Sequence, residues 1–264
     1  MYAFAYHQPT NLAGALAELA QDDAKLLAGG QTLIPTMKQR LASPSVLVDL
    51  SKVADLVGVS REGDAVRVGA MTRHADVARN QIVRTAIPAL ADLAGLIGDP
   101  AVRNRGTIGG SLANNDPAAD YPAAALALGA TIVTNARRIA AGDYFTGLFE
   151  TALEPNEIIT HIDFPIPEKA AYVKFRNPAS RYALVGVFVA KIAGGARVAV
   201  TGAGANGVFR VESFEQALDA NFNPAALEGR SVPADGLGSD IHADADYRAH
   251  LIGVLARRAV AAAA

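Results

Sequence analysis

The chain has 264 residues, 51% hydrophobic and 19% charged, a balance that supports a large buried core and excludes a disordered polymer. Its formal net charge is −2 with Lys and Arg spread along the sequence, which excludes a basic footprint for nucleic acid or a membrane surface. The absence of cysteine excludes disulfides, a thiolate nucleophile and any iron–sulfur cluster bound by cysteines of this chain.

The length predicts two compact units rather than one. Trp is absent and alanine abundant, so the core rests on Leu, Val, Ile and nine Phe, and a partner subunit is expected to complete some faces. The N-terminus, Met1 to His7, has no basic segment before an apolar run and does not read as a signal peptide. The apolar stretch Ala118 to Ala130 is too short for a bilayer and is interrupted by Asp120, Pro122 and Gly129. A cytoplasmic protein with no membrane span is the expectation.

In chain order, Leu12, Ala15, Leu16 and Leu19 share one helical face between Thr10 and Ala20. Lys25 to Ala28 reads as a strand ending at Gly29-Gly30. A short helix over Leu33 to Leu41, with Pro35 tolerated in its first turn, and a strand over Val46 to Leu50 complete a βαβ unit. Val57 to Val59 and Ala65 to Val68 flank Arg61-Glu62-Gly63-Asp64 as a hairpin. Thr72 is expected to cap a helix running to Arg79, and Ala86 to Ile97 to form another, stopped by Gly98. Arg103 to Ser111 has neither a helical nor a strand period.

A helix from the N-cap Asp116 through Pro117 to Leu128 is predicted next, with Gly129 as its stop. Thr131 to Thr134 and Ile158 to Phe164 read as strands, and Pro165 to Lys169 as a domain boundary. Beyond it Tyr172 to Phe175, Tyr182 to Ala190 and Arg197 to Thr201 alternate as antiparallel strands. Ser213 with Gln216 has the capping-box pattern of a helix start, and an alanine-rich helix runs from Asp246 to the end.

Few residues carry chemistry. Ala28-Gly29-Gly30-Gln31-Thr32 lies between a strand and a helix, where glycines let successive N–H groups turn toward one point and the helix start favours an anion. The same segment also suits a tight connection that binds nothing. Thr107-Ile108-Gly109-Gly110-Ser111 repeats the offer, and two such segments together match the donor demand of a pyrophosphate. Arg103 and Arg105 either add charge there or face solvent. Asp120 sits a few residues beyond, as a helix-start acid or as an acceptor for a ribityl chain or ring edge.

Gly202-Ala203-Gly204-Ala205-Asn206-Gly207 matches G-x-G-x-x-G, but extended chain follows it instead of a helix, so it reads as a loop. The five histidines have no metal-ligand spacing. Signatures of serine hydrolases, zinc proteases and P-loops are absent.

The strings Ala28-Gly-Gly-Gln-Thr-Leu-Ile-Pro35, Arg103-Asn-Arg-Gly-Thr-Ile-Gly-Gly-Ser111 and Asp116-Pro-Ala-Ala-Asp120, in this order and spacing, resemble the FAD-binding medium subunits of the molybdenum hydroxylases. That family includes the carbon monoxide dehydrogenase medium subunit and the flavin domain of xanthine dehydrogenase. The resemblance spans nearly the whole chain, through Tyr144-Phe-Thr-Gly147, Asn156-Glu-Ile-Ile159, Tyr182-Ala-Leu-Val-Gly186, Ser239-Asp-Ile-His242 and Tyr247-Arg248.

It implies an α+β protein with a vanillyl-alcohol-oxidase-type (PCMH-type) FAD-binding fold. Two subdomains, 1–55 and 56–167, would clasp the cofactor, beside a C-terminal domain of antiparallel sheet and helices, 168–264. Ala28, Gly29, Gly30, Gln31 and Thr32, with Thr107, Gly109, Gly110 and Ser111, would hold the pyrophosphate. Asp116 and Asp120 join them, Asp120 as the family acid near the flavin and ribityl region. Ile159 matches a backbone contact, Lys174 a basic residue at the isoalloxazine, and Tyr182 an aromatic against the ring, or otherwise an ordinary strand residue. The chain departs from the family pattern at Arg181, where relatives often have Asp, and at Asn115, where many have Ala.

The implied function is an FAD-carrying electron-transfer subunit. Its partners would be a molybdopterin-binding large subunit and a small subunit with [2Fe–2S] clusters. A free-standing FAD-dependent oxidase of the same fold, or a dinucleotide-binding module without redox function, are the alternatives.

Overall fold

The computed structural model describes residues 1–263. A strand absent from the sequence expectation, β1 (Ala5–His7), comes first. Helix α1 (Leu12–Leu19) is capped by Asn11, whose side chain accepts from Gly14 N at 2.8 Å. The βαβ unit follows as β2 (Ala24–Leu27), α2 (Leu33–Lys38) and β3 (Val46–Asp49). These strands form a parallel sheet in the order β1-β3-β2.

The hairpin is β4 (Val59–Glu62) and β5 (Ala65–Gly69). Thr72 caps no helix: its hydroxyl bonds both Gly58 N and Gly58 O at 3.0 Å and ties off the hairpin. Helix α3 (His74–Arg79) starts behind Arg73 instead. A helix absent from the sequence expectation, α4 (Gln81–Ala86), comes next, and the helix expected over 86–97 is α5 (Pro88–Gly95). Pro88 separates the two by driving Ile87 out of helical conformation, to φ −140° and ψ 70°. The segment read as having no period, 103–111, runs from the last residue of α6 (Pro100–Arg103) into the first half of α7 (Ile108–Asn114).

Helix α8 is Tyr121–Leu128, starting later than Asp116-Pro117 and ending at Gly129, φ 65°. Asp116 Oδ1 accepts from Ala118 N at 2.8 Å, closing a local turn in place of a helix cap. Next come β6 (Thr131–Thr134), β7 (Arg138–Ala140), α9 (Ala141–Tyr144), the pair β8 (Phe145–Gly147) and β9 (Glu150–Thr151), and β10 (Ile159–Pro165). The antiparallel order is β4-β5-β10-β6-β7.

The last sheet is antiparallel in chain order: β11 (Lys169–Arg176), β12 (Ala183–Ile192), β13 (Gly195–Thr201) and β14 (Phe209–Arg210). Helices α10 (Glu212–Ala220) and α11 (Ala245–Ala262) follow. The capping box at Ser213 does not form: α10 begins one residue earlier, and Glu215 accepts from Val198 N and Arg210. The Gly202–Gly207 segment is a loop, with φ 81° and 102° at its end glycines.

Every residue of α8 is buried, as an all-apolar helix requires. It lies in one core with Ile132, Ile162 and Phe164 of the five-stranded sheet and Phe188, Ala190 and Ala199 of the four-stranded one. Its four alanines let the two layers close on it, which is how a chain without Trp fills this space. The other face of the last sheet, with Val185, Val187 and Val189, is covered by α11 through Leu251, Ile252 and Leu255. Strand β12 is therefore buried on both faces and reads as a continuous apolar run.

Candidate functional site

A cavity of about 890 Å³ opens between the parallel sheet, the five-stranded sheet and the end of β11. That volume is within the range that holds cofactors. Its walls include every residue assigned above to a cofactor: residues 28–32, Thr107, Gly109, Gly110, Ser111, Asp116, Asp120, Ile159, Lys174 and Tyr182.

The first wall begins where β2 ends. Gly30 has φ 72°, a left-handed conformation that suits glycine, and it turns the chain into α2. Among the described residues no acceptor is bonded to the N–H groups of Gly29, Gly30, Gln31, Thr32 or Leu33. A run of unpaired amides at a cavity is an anion-binding arrangement. Gly29 is set by close approach: a Cβ there would lie 2.3 Å from Arg105 O and 2.6 Å from Gly106 Cα. The first glycine segment is thus packed against Arg105 and Gly106, the two residues that lead into the second.

The second wall differs from the expected turn. Thr107 is the N-cap of α7, and Gly109, Gly110 and Ser111 form its first turn with no positive φ. Most of its amides are paired: Ile108 N to Thr72 O, Gly109 N to Ala70 O and Ser111 N to Thr107 O. Gly110 N has only the Thr107 hydroxyl at 3.2 Å. Gly109 is required by packing, since its Cβ would meet Ala70 Cβ at 2.6 Å. The second segment therefore offers hydroxyls and one weakly held amide, while the first offers a full run. Arg103 is occupied by the Ile97 and Gly98 carbonyls at 2.9 and 3.1 Å, and neither it nor Arg105 lines the cavity.

From α7 the chain reaches Asp120 through Asn115, which adopts φ 43° and holds Gly147 O and Glu150 O at 2.9 and 2.8 Å. The 116–120 turn is braced from the last sheet. Thr201 Oγ1 lies 3.0 Å from Pro117 O and 2.6 Å from Ala119 O, and Gly202 N donates to Pro117 O. Arg248 of α11 in turn bonds Gly202 O and Leu184 O.

Asp120 forms a buried ion pair with Lys174, at 2.9 Å to Oδ1 and 3.0 Å to Oδ2. Tyr172, two residues before Lys174 in β11 and so on the same strand face, donates to Asp120 Oδ1 at 2.5 Å. Burial pushes the Asp120 carboxyl up, against the pull of the Lys174 ammonium and the Tyr172 hydroxyl. Burial, then the Asp120 charge, raises the Tyr172 phenol far above its ordinary value.

Tyr182 precedes β12 instead of lying in it and is 49% exposed at the cavity edge. Asn177 Oδ1 accepts from Ala179 N and Ser180 N, and Arg181 takes φ 65° to turn the chain back toward Tyr182. Ile159 is the buried first residue of β10.

Three residues at the site were not assigned roles from sequence: Glu157 and His74, which line the cavity, and Tyr172, which lies behind its wall. Tyr172 was findable from its i, i+2 spacing to Lys174. Glu157 is held well below the carboxylate range, at about 2, chiefly by Arg137 at 2.7 Å. Burial depresses His74 to about 4, and its Nδ1 is buried without a partner. Nothing in the sequence distinguishes His74 from a packing histidine. Among the described residues no helix is long and apolar enough to cross a membrane.

Residues 2–167 match a family model described as the FAD binding domain in molybdopterin dehydrogenase. The chain is 36% identical to the carbon monoxide dehydrogenase medium chain of Hydrogenophaga pseudoflava, over 98% of this chain and 96% of that one. It is also 36% identical to the nicotine 6-hydroxylase medium subunit of Paenarthrobacter nicotinovorans, with the same coverage of each. A solved carbon monoxide dehydrogenase from Hydrogenophaga pseudoflava superposes with a TM-score of 0.89 at 36% identity, covering 99% of this chain and 97% of that one.

Proposed function

Because the chain belongs to the FAD-binding domain family of the molybdopterin dehydrogenases, we propose that it is the FAD-carrying electron-transfer subunit of a molybdenum hydroxylase. The observation that carries this reading is the run of unpaired amides at Gly29–Leu33, pressed through Gly29 against Arg105 and Gly106, which lead into the second glycine segment. Those amides, with the Thr32, Thr107 and Ser111 hydroxyls and Gly110 N, hold the pyrophosphate. Asp116, Asp120, Ile159, Lys174 and Tyr182 serve the ribityl and isoalloxazine portions. FAD then lies between residues 1–55 and 56–167, with 168–264 supplying Lys174 and Tyr182 from behind.

The bound flavin supplies the exchange between one-electron and two-electron carriers. The chain's own part is to grip the diphosphate and to hold a buried ammonium beside the cavity. With no cysteine it holds no cysteine-ligated cluster, so electrons reach it from [2Fe–2S] clusters of a small partner subunit. A large molybdopterin subunit carries out the substrate chemistry in the cytoplasm. Relatives at equal identity are named for carbon monoxide and for nicotine, which fits a chain that leaves substrate selection to its partner.

Purification of the native complex with its visible spectrum tests the assignment. The chain is expected to carry one FAD and to travel with a small iron–sulfur chain and a large molybdenum chain. A protein that stays colourless with added FAD refutes the flavin assignment. One that runs alone and turns over substrate without molybdenum or iron establishes a free-standing oxidase.

A further inference from the structure

We propose that Tyr172 is a positioning residue of this site: its hydroxyl, donated to Asp120, keeps the buried carboxylate ionised and so keeps Lys174, in the cavity wall, an ammonium. The inference rests on the flavin reading above and assigns that reading a residue it does not contain.

The geometry sets two proton arrangements against each other. Asp120 and Lys174 have side chains only 4% and 1% exposed, a setting in which a charged pair is costly. Moving one proton from Lys174 Nζ to Asp120 across 2.9 Å would leave a neutral acid and a neutral amine. The carboxylate is favoured by the donors it collects, which are Lys174 on both oxygens and Tyr172 on Oδ1. A phenol hydroxyl bonds a carboxylate about twice as strongly as a neutral acid, so Tyr172 acts on the ionised arrangement selectively. The other charged or titratable groups coupled to this cluster are Arg176 on β11, Tyr121 on α8 and Tyr182 at the cavity edge, the last of which also feels Asp116.

A second residue serves the same end. Gly186, paired with Lys174 across β11 and β12, has no positive φ, so its backbone does not call for glycine. The space does: a Cβ there would lie 2.3 Å from the Tyr172 hydroxyl and 2.8 Å from Thr201 Cγ2. The missing side chain leaves the phenol room to reach Asp120.

An ammonium at the cavity favours the more negative, reduced state of a bound flavin. Losing it weakens that preference and lowers the two-electron midpoint potential. The test compares Tyr172→Phe, Gly186→Ala (which keeps the phenol and crowds it) and Lys174→Met in the FAD-loaded protein. All three potentials should move negative, each by about 30 mV or more, the shift that matches a tenfold change for two electrons. Infrared spectra of the flavin-free chain at neutral pH give an independent readout. Tyr172→Phe should show a protonated carboxyl band that is absent from the native chain and disappears in Tyr172→Phe/Asp120→Asn.

Native potentials in Tyr172→Phe and Gly186→Ala, with FAD fully bound, overturn the proposal, as does the absence of the carboxyl band. Were the native chain to take up no FAD, the flavin reading would fail, and the infrared band would still decide the role of Tyr172.

Discussion

Replacing Gly29 by alanine bears directly on how the two glycine segments meet. The new Cβ would lie 2.3 Å from Arg105 O and 2.6 Å from Gly106 Cα, roughly 1 Å inside normal contact for such atoms. Both neighbours are backbone, so no rotamer change relieves the overlap and the segments must separate by about 1 Å. Overpacking of this kind costs about 1–3 kcal/mol. At about 2–4 °C per kcal/mol for a chain of this size, melting should fall by roughly 2–12 °C. Affinity for FAD should fall as well, because hydrogen bonds to a charged group contribute about 1.5–3 kcal/mol each. Loss of one corresponds to about a 10- to 150-fold weaker complex. The assay is a fluorescence titration of FAD into the flavin-free chain, with melting curves alongside. Gly142→Ala, where a Cβ meets nothing within 4 Å, is the control and should change neither. FAD affinity within twofold of native and unchanged melting in Gly29→Ala would refute the reasoning.

Three further outcomes are expected. The His74 imidazole should titrate near pH 4 by proton NMR; because its folded value lies below the ordinary 6.5, its neutral form favours folding above pH 6.5 and that advantage disappears as the pH falls to 4. A midpoint near 6.5 would show that the ring is not buried as described. Glu157, at about 2 when folded, should contribute on the order of 2 kcal/mol after screening at the exposed Arg137 is allowed for. That contribution is complete above about pH 5 and lost toward pH 2, so acid denaturation curves of Glu157→Gln should be flatter over that window. Asn115→Ala should lose about 2–3 kcal/mol in chemical denaturation, from two hydrogen bonds and a left-handed backbone. Asn115→Gly, which loses the bonds but not the conformation, should lose about 1 kcal/mol less, and equal losses would contradict the strain at this position.

The βαβ unit, the hairpin around Gly63, the stop at Gly129 and the strands of the last sheet were legible because each has a strong local signal. Strand β1 has three residues, too few for a period, and owes its existence to the open edge of β3. Thr72 and Asp116 carried genuine helix-cap signals that other bonds outcompeted, to Gly58 in one case and to Ala118 N in the other. Helix α7 was hidden because paired glycines weaken a helix, and the start of α7 is held by Thr72 and Ala70, more than thirty residues back in sequence. At the site, the glycine strings, Asp120 and Lys174 could be picked out by resemblance, and the structure brings them to one cavity. The unequal supply of free amides by the two segments could not, since it depends on which carbonyls happen to lie opposite α7. Asn115, noted as a departure, proves to anchor the β8–β9 hairpin, a partner more than thirty residues away.

The bracing of the 116–120 turn by Thr201 and Gly202 has a consequence for where this protein can be divided. The family match stops at residue 167, yet a chain truncated there would keep both glycine segments while forfeiting the counter-ion of Asp120 and the struts beneath Pro117 and Ala119. The boundary that similarity draws is therefore not an autonomous one. Exchanging residues 168–264 between relatives is expected to alter the cavity that residues 28–32 and 107–111 line, from outside the segment the family match covers.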